Sequence, residues 1–428
     1  MKLITIMLVV IIKIIFPEKY LNIIIEKSKI TKSIIVKNRI IKKAFEICSF
    51  PIVFVSTIFS SMLKIILLWI LPINLYSNLK YVRKQFYTDV VVLKNISILT
   101  AFQRSLLLIK LFTKGSEKCI SPGEKNPDKV FYVIRPYYFL EPNKFILNNV
   151  ANLLTQYYYC LQKLSYAIES GYIPVVDWEN YGRLPHSENY PIHGTKNSWE
   201  YYWKQPSDYT LDEVYSSKNV ILSTQNIGQF GYIPNCAMTS PFNSYAVQVQ
   251  NLCPQYAKYV PFNDFTFSYI EEKYRSLFPK EGKVLGCVIR GSSYGISSTQ
   301  FSSHPVQISI NELIDEIHKY LAMWNCNYVF FMNEIKEFAD CIKKEFGDKA
   351  IILPRLRDSL YRKTDGSELN PMYKDGAKFQ SNLDYITEVA LLSKCDSLIG
   401  SMSSGTRMAL ILNQKQYRHV VIFEGGLW

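Results

Sequence analysis

Three segments in the last third of the chain carry the residue types that hold an anion. The first is Val288-Ile289-Arg290-Gly291-Ser292-Ser293-Tyr294, followed by His304-Pro305-Val306-Gln307. The second runs from Glu388 to Asp396, and the third, Gly400-Ser401-Met402-Ser403-Ser404-Gly405-Thr406-Arg407, follows at once. Each puts glycine, a small hydroxyl residue or a cation at the end of an apolar run. In an α/β domain that is where backbone N–H groups and charge meet a bound phosphate. Arg290 at the end of a buried strand offers a bidentate fork, and the same placement also suits a structural ion pair. Ser403, Ser404 and Gly405 fall between a strand and a helix; they read either as an anion-binding turn or, for Ser403, as a plain N-cap. Neither GxGxxG nor GxxxxGK[ST] occurs, which argues against a dinucleotide fingerprint or a P-loop. No Asp-x-Asp occurs either, so no carboxylate pair stands ready for Mg²⁺ or Mn²⁺, and no metal site is expected. A diphosphate bound here must be met by arginine and by helix N-termini.

The elements that must position these residues follow from pattern. Lys283–Arg290 reads as a strand. Ser309-Ile310-Asn311-Glu312 is a capping box for a helix with Ile310, Leu313, Ile314, Ile317 and Leu321 on one face. Asn327–Met332 reads as a strand, Glu337–Phe346 as a helix, Ala350–Leu353 as a strand, Leu383–Ser393 as a helix, Ser397–Gly400 as a strand, Gly405–Leu412 as a helix and His419–Phe423 as a strand. Upstream, a strand at Val130–Ile134, a helix around Phe145–Ser170 closed by Gly171 and a strand at Tyr172–Val176 form a βαβ unit. The architecture expected is therefore α/β, with two Rossmann-like domains facing a cleft, at residues 126–280 and 281–428. Within the first, residues 178–210 are rich in Tyr, Trp, Pro and Asn. They read as a sugar-facing loop, with Trp199 and Tyr201 stacking and Asp177 nearby as an acceptor-side carboxylate, or as a packed loop.

Composition bounds the rest. Residues 1–125 hold 20 Lys and Arg against 6 Asp and Glu, while the other 303 hold 29 against 30. The basic part is also rich in Ile, Leu, Val and Phe. It is expected to form helices and to meet an anionic membrane surface, and nucleic acid is not expected as a partner. Met1–Phe16 holds Lys2 and Lys13 and lacks a small-residue cleavage site, which makes a poor signal peptide. Ile47–Leu63 and Ile65–Leu79 are uncharged runs separated by Lys64. A single span with Lys64 near its middle would cost about 2.5–3.5 kcal/mol on insertion scales. Helices lying in the interface fit better, with a buried helical hairpin as the alternative. The expected location is the cytoplasmic face of a membrane, peripheral or anchored through residues 1–80. The nine cysteines show no CxxC spacing and read as reduced thiols.

With those residues in hand, the second half resembles the α1,6-fucosyltransferases and protein O-fucosyltransferases. Ile289–Tyr294 with His304-Pro305 is similar to their first motif, His-x-Arg-Arg-Thr-Asp-Lys followed by His-Pro. Tyr328–Glu334 is similar to a second motif, a strand ending in Thr-Asp-Asp, and Glu388–Asp396 with Gly400–Arg407 to a third. The resemblance covers roughly residues 283–412, and it is strongest to a bacterial polysaccharide-biosynthesis branch. It implies a GT-B fold and metal-independent, inverting transfer of a sugar, fucose foremost, from a GDP-sugar to a surface polysaccharide or glycolipid precursor. It implies no cofactor. Arg290 matches the arginine on the donor diphosphate, His304 and Glu388 match polar positions near the donor, and Ser403 and Ser404 match its phosphate-contacting turn. Gly291, Ser292, Tyr294, Asn333 and Gly405 complete the implied donor set, with Arg290, Glu334 and Glu388 as catalytic candidates. The chain departs from the pattern where Arg-Gly-Ser-Ser replaces Arg-Arg-Thr-Asp and Met-Asn-Glu replaces Thr-Asp-Asp. A non-catalytic protein that binds a nucleotide sugar or glycan in an assembly complex is the alternative. A third reading is a membrane or structural protein whose C-terminal pattern is accidental.

Overall fold

A computed structural model describes residues 117–137, 139–141, 146–148, 152–181, 187–225, 231–235, 238, 240–291, 305–359 and 376–426. Of the region 1–125 expected to be helical and membrane-associated, residues 1–116 lie outside them, anchoring residues 1–80 included, and Lys118–Ile120 form a strand instead. No described helix is long and apolar enough to cross a membrane.

In chain order the strands are β1 Lys118–Ile120, β2 Phe131–Ile134, β3 Phe139–Glu141, β4 Ile146–Asn148, β5 Ile173–Val176, β6 Val220–Leu222, β7 Val284–Val288, β8 Tyr328–Met332, β9 Ala350–Ile351, β10 Ser397–Ser401 and β11 His419–Phe423. The helices are α1 Leu153–Glu169, α2 Leu211–Val214, α3 Phe242–Leu252, α4 Pro254–Ala257, α5 Asp264–Leu277, α6 Ile310–Met323, α7 Lys336–Phe346, α8 Lys378–Ser393 and α9 Ser404–Asn413. The first sheet has the order β1-β6-β2-β5, with β2 parallel to both β5 and β6 and β1 antiparallel at the edge. The second, β11-β10-β7-β8-β9, is parallel throughout. This is the α/β, GT-B-like architecture expected.

Two elements begin where their ends can be satisfied, not where the apolar pattern suggested. Helix α1 starts at Leu153, because residues 146–148 are strand β4 and Asn152 caps the helix by accepting from the Thr155 N–H at 2.9 Å. Helix α8 starts five residues earlier than Leu383. Glu188, from the first half, accepts from the N–H groups of Gly376 and Phe379 at 3.1 and 2.9 Å and so supplies the missing cap. The capping box at Ser309 and Glu312 forms as read, and α6 buries Leu313 and Ile317.

One apolar cluster runs continuously from Tyr132 and Ile134 through α1 to Val288, Leu392 and Ile422, and a second covers the other face of the β7–β8–β10 sheet. Helices α3 and α5 precede residue 281 but pack on the second half, α3 against β11 and α9, and α5 against α8. Among the described residues the cysteines are free thiols: Cys160, Cys253, Cys287 and Cys395 are buried, whereas Cys119 and Cys341 are exposed.

Candidate functional site

In the first turn of α1, Gln156 Oε1 accepts from the Tyr137 N–H just past the carboxyl end of β2 at 2.9 Å, and the first turn of α9 begins just past the carboxyl end of β10. The Thr155 and Ser404 hydroxyls of these two turns are 2.9 Å apart. The carboxyl ends of the two parallel sheets therefore meet, which is where α/β sheets hold their ligands.

On the second sheet, β7 runs out into Ile289 and Arg290. The Arg290 N–H donates to Gln307 Oε1 at 2.9 Å, and Arg290 Nε lies 3.0 Å from Glu334 Oε1. The Gly291 N–H donates to the same carboxylate oxygen at 3.1 Å. Glycine is required at 291 by close packing, since a Cβ would meet Ile335 at 2.4 Å. Burial alone would raise the Glu334 pKa. The Arg290 guanidinium, the N–H groups of Glu334 and Gly291, and Arg355 outweigh it and hold the carboxyl below its usual range. Glu334 is thus an ionised partner and a weak base. The pair keeps some access to solvent, with side-chain exposures of 23% for Arg290 and 15% for Glu334.

Glu388 was expected near the donor as a catalytic candidate, and the structure corrects this. Its side chain is fully buried; one oxygen accepts from Arg355 Nη2 at 2.7 Å and Nε at 3.0 Å, the other from Arg357 Nη2 at 2.8 Å. It anchors the Pro354–Asp358 segment after β9 and has no face toward a substrate. Asn333 is also corrected. Buried at 2% exposure, it donates to the Ile289 carbonyl at 2.7 Å and accepts from the Ile335 N–H at 2.7 Å, tying the end of β8 to that of β7. Its carbonyl takes Arg355 Nη2 and Arg357 Nε at 3.1 and 3.2 Å. Arg355 and Arg357 were not anticipated. Their signal was two arginines spaced by one residue just past a strand, with no motif to mark them.

The turn before α9 behaves as a cap. Ser403 Oγ accepts from the Thr406 N–H at 3.1 Å and pairs with Thr406 Oγ1 at 2.8 Å, so this buried hydroxyl faces its own helix. Ser404 is spent on Thr155, and a Cβ at Gly405 would meet the Met332 methyl at 2.7 Å. What the turn still offers an anion is the N–H groups of Ser404 and Gly405, which sit in the first turn where a helix has no internal acceptors. Ser292, Tyr294 and His304 lie outside the described residues.

Beside the first sheet, the aromatic run Trp199–Trp203 is packed, not sugar-facing, while Tyr190 is half-exposed. Trp199 and Tyr201 are buried at 0% and 1% exposure, and Trp199 stacks on Trp203 at 4.7 Å with its Nε1 donating to the Lys204 carbonyl at 3.0 Å. Neither presents a ring face to an acceptor. Asp177, also expected on the acceptor side, is fully buried and holds a turn. It accepts from the N–H groups of Glu179 and Asn180, from Asn180 Nδ2, and from Tyr215 Oη at 2.7 Å. Beside it, Arg135 Nε donates to the Ser223 carbonyl at 2.7 Å, bridging the ends of β2 and β6. Lys163 on α1 donates to the Arg135 carbonyl at 2.7 Å. Burial pushes the Lys163 pKa down to about 7, with Cys160 opposing and Arg135 adding to the fall. Among the described residues no group of three or more His, Cys, Asp or Glu side chains is arranged to hold a metal ion.

No protein-family model and no curated protein matches the sequence. Among solved structures, the chain is similar to the fucosyltransferase NodZ from Bradyrhizobium, at 12% identity over 66% of this chain and 92% of that one, with a TM-score of 0.36. It is also similar to POFUT1 in complex with GDP-fucose, at 11% identity over 70% and 75% with a TM-score of 0.28, and to Arabidopsis thaliana FUT1 in complex with GDP, at 10% over 75% and 74% with 0.36. Overlaps this loose leave the function to be argued from the site's own chemistry.

Proposed function

We propose that the chain is a glycosyltransferase that moves a sugar, fucose foremost, from a GDP-sugar onto a surface polysaccharide or glycolipid precursor, with inversion and without a metal. The observation that carries this reading is that a partly exposed Arg290 and the Ser404 and Gly405 N–H groups that Ser403 leaves uncapped follow β7 and β10, two adjacent parallel strands of one sheet. These are donors suited to a departing diphosphate. In the step itself, an acceptor oxygen bonds to the anomeric carbon while the bond from that carbon to the β-phosphate oxygen breaks. The electron pair leaves with GDP, and the acceptor proton passes to a base. Glu334, ionised beside Arg290, fixes the guanidinium's direction. The bacterial polysaccharide branch and attachment to the cytoplasmic face of a membrane through the basic residues 1–80 belong to the same proposal.

The test is a titration of the full chain with GDP, UDP and CMP, with and without Mg²⁺, followed by thermal unfolding and calorimetry. Stabilisation by GDP alone, independent of Mg²⁺ and lost in Arg290→Ala, is expected. No response to any nucleotide would remove the reading. One observation favours a second reading, the non-catalytic binder: both carboxylates at this end of the sheet, Glu334 and Glu388, are engaged by arginines. GDP binding without turnover or hydrolysis of any GDP-sugar would select it.

A further inference from the structure

A parallel sheet ordinarily buries both of its faces under helices. On the second sheet the face of Cys287, Phe331 and Ile399 is covered unevenly. Helix α6 packs on β7 and β8, and α7 on β8 and β9. From the other side α3 packs on β11, and Tyr245 and Val249 of α3 join Ile422 in the first apolar cluster. The neighbours of Ile422 on its strand, Val421 and Phe423, belong to the α6 side and are only half-buried. Among the described residues no helix seats on β10 or β11 from that side. What remains is an open groove of about 480 Å³ between α6 and β11, floored by Ile308, Tyr320, Val421 and Phe423. Its rim holds four carboxylates, Glu312, Asp315, Glu316 and Glu424, and one cation, Lys319, which pairs with Glu316 at 2.8 Å.

That concentration of charge is local, since residues 126–428 as a whole hold 29 Lys and Arg against 30 Asp and Glu. It is also fixed. The Ser309 N–H and hydroxyl hold the Glu312 carboxyl below its usual range. For Glu424 burial acts the other way, and the N–H groups of Asn243 and Phe242 outweigh it. We propose that the groove docks an amphipathic helix of a partner protein, with its apolar stripe on Val421 and Phe423 and its lysine and arginine side chains on the carboxylate rim. The sheet selects the shape, because a helix is what covers a parallel sheet and an apolar groove takes the apolar stripe of one. The rim selects the sign, because opposite charges across an interface steer a partner in and like charges exclude it. A small polycation would use the rim and leave the apolar floor wet. Anionic headgroups would be repelled by it. The inference does not depend on the proposed function.

The experiment mixes the full chain with a fluorescent leucine–lysine peptide whose leucines recur at helical spacing. Anisotropy reads binding, and hydroxyl-radical oxidation reads the exposure of the Tyr320 and Phe423 rings. Binding at micromolar peptide is expected, with both rings shielded in the complex. It should weaken about tenfold in Asp315→Lys and in Tyr320→Ala at an unchanged thermal midpoint. Asp315 is exposed, so its replacement leaves the frame intact. Absence of binding overturns the proposal, as does binding that leaves both rings reactive or that Asp315→Lys does not weaken. A leucine–glutamate peptide of the same spacing that shields the rings equally also overturns it. Rings unreactive in the free chain would mean that the chain covers this face itself, and no partner helix docks there. Equal shielding by spermine, or by vesicles of anionic phospholipid, would take the groove from a partner helix and assign it to a small cation or to a membrane.

Discussion

The carboxyl ends of the two parallel sheets have the same architecture and opposite electrostatic conditions. At the end of the first sheet, Arg135 and Lys163 donate to main-chain carbonyls, and Asp177 is filled by two N–H groups, an amide and a phenol. Every one of those charges is buried in hydrogen bonds that the fold itself supplies. At the end of the second sheet the charges are paired with one another, Arg290 with Glu334 and Arg355 and Arg357 with Glu388, and one member, Arg290, still reaches solvent. A parallel sheet thus provides a place for a ligand at its carboxyl end whether or not one is used. Under the proposed function, what separates a binding end from a structural one is a charge left accessible at the edge of a network that is otherwise closed.

The largest effect expected from that contrast is on stability. Glu388→Ala leaves two buried guanidinium groups without their counter-charge, and breaking a buried ion pair from one side costs about 3–5 kcal/mol. Chemical denaturation of the variant checks this; a loss well under 1 kcal/mol would mean that the Arg355–Glu388–Arg357 cluster is solvated and that the two sheet ends differ less than argued. Arg290→Ala should do the reverse. Under the proposed function it lowers turnover of a GDP-sugar by about 10²–10³-fold, as expected for one donor on a developing charge. Its stability should change little, because the side chain sits at the solvent edge of the network. A variant that loses stability but keeps its rate per folded molecule would place Arg290 with the structural residues.

Much of the frame was legible in the sequence, and the reason is local. Strand β11 falls on His419–Phe423 as read, and the capping box of α6 forms, because both depend on contiguous residues. Helix α8 was misread at its start because its cap, Glu188, is almost two hundred residues away in sequence. The site was legible only as a set of positions. Arg290 and Gly291 announced a strand end, and the structure brings them to Glu334. Glu388, Asn333, Asp177 and Trp199 carry functional-looking types that turned out to hold the frame. Polarity in a motif does not distinguish a group that faces a ligand from one that faces the backbone. Arg355 and Arg357 were missed for the converse reason, since their role appears only once Glu388 is placed beneath them.

The contrast also has a pH signature at the first sheet. In the folded chain Lys163 titrates at about 7, far below its ordinary 10.5, so between those values the unfolded chain holds a proton that the folded one does not. Stability must therefore rise with pH across that window, and it is lowest where the amine is charged while buried. Replacing Lys163 with Met removes that titration. Denaturant midpoints should increase from pH 7 to 9 in the native chain more than in Lys163→Met. Parallel pH profiles would show that the ammonium stays solvated and that the first sheet's end is less sealed than its burial implies.

The smallest effect sharpens how the two ends are joined. Thr155 and Ser404 share a hydrogen bond between the first turns of α1 and α9. Deleting either hydroxyl removes a neutral bond worth about 0.5–1.5 kcal/mol and leaves its partner, buried Ser404 or half-buried Thr155, without it. Deleting both removes the interaction together with its orphan. In a double-mutant cycle of Thr155→Val and Ser404→Ala, the paired variant should be destabilised by less than the sum of the single changes. Additivity would mean that the two turns do not depend on each other. The carboxyl ends would then be neighbours held together by the surrounding core alone, and the accessible Arg290 would owe nothing to the first sheet.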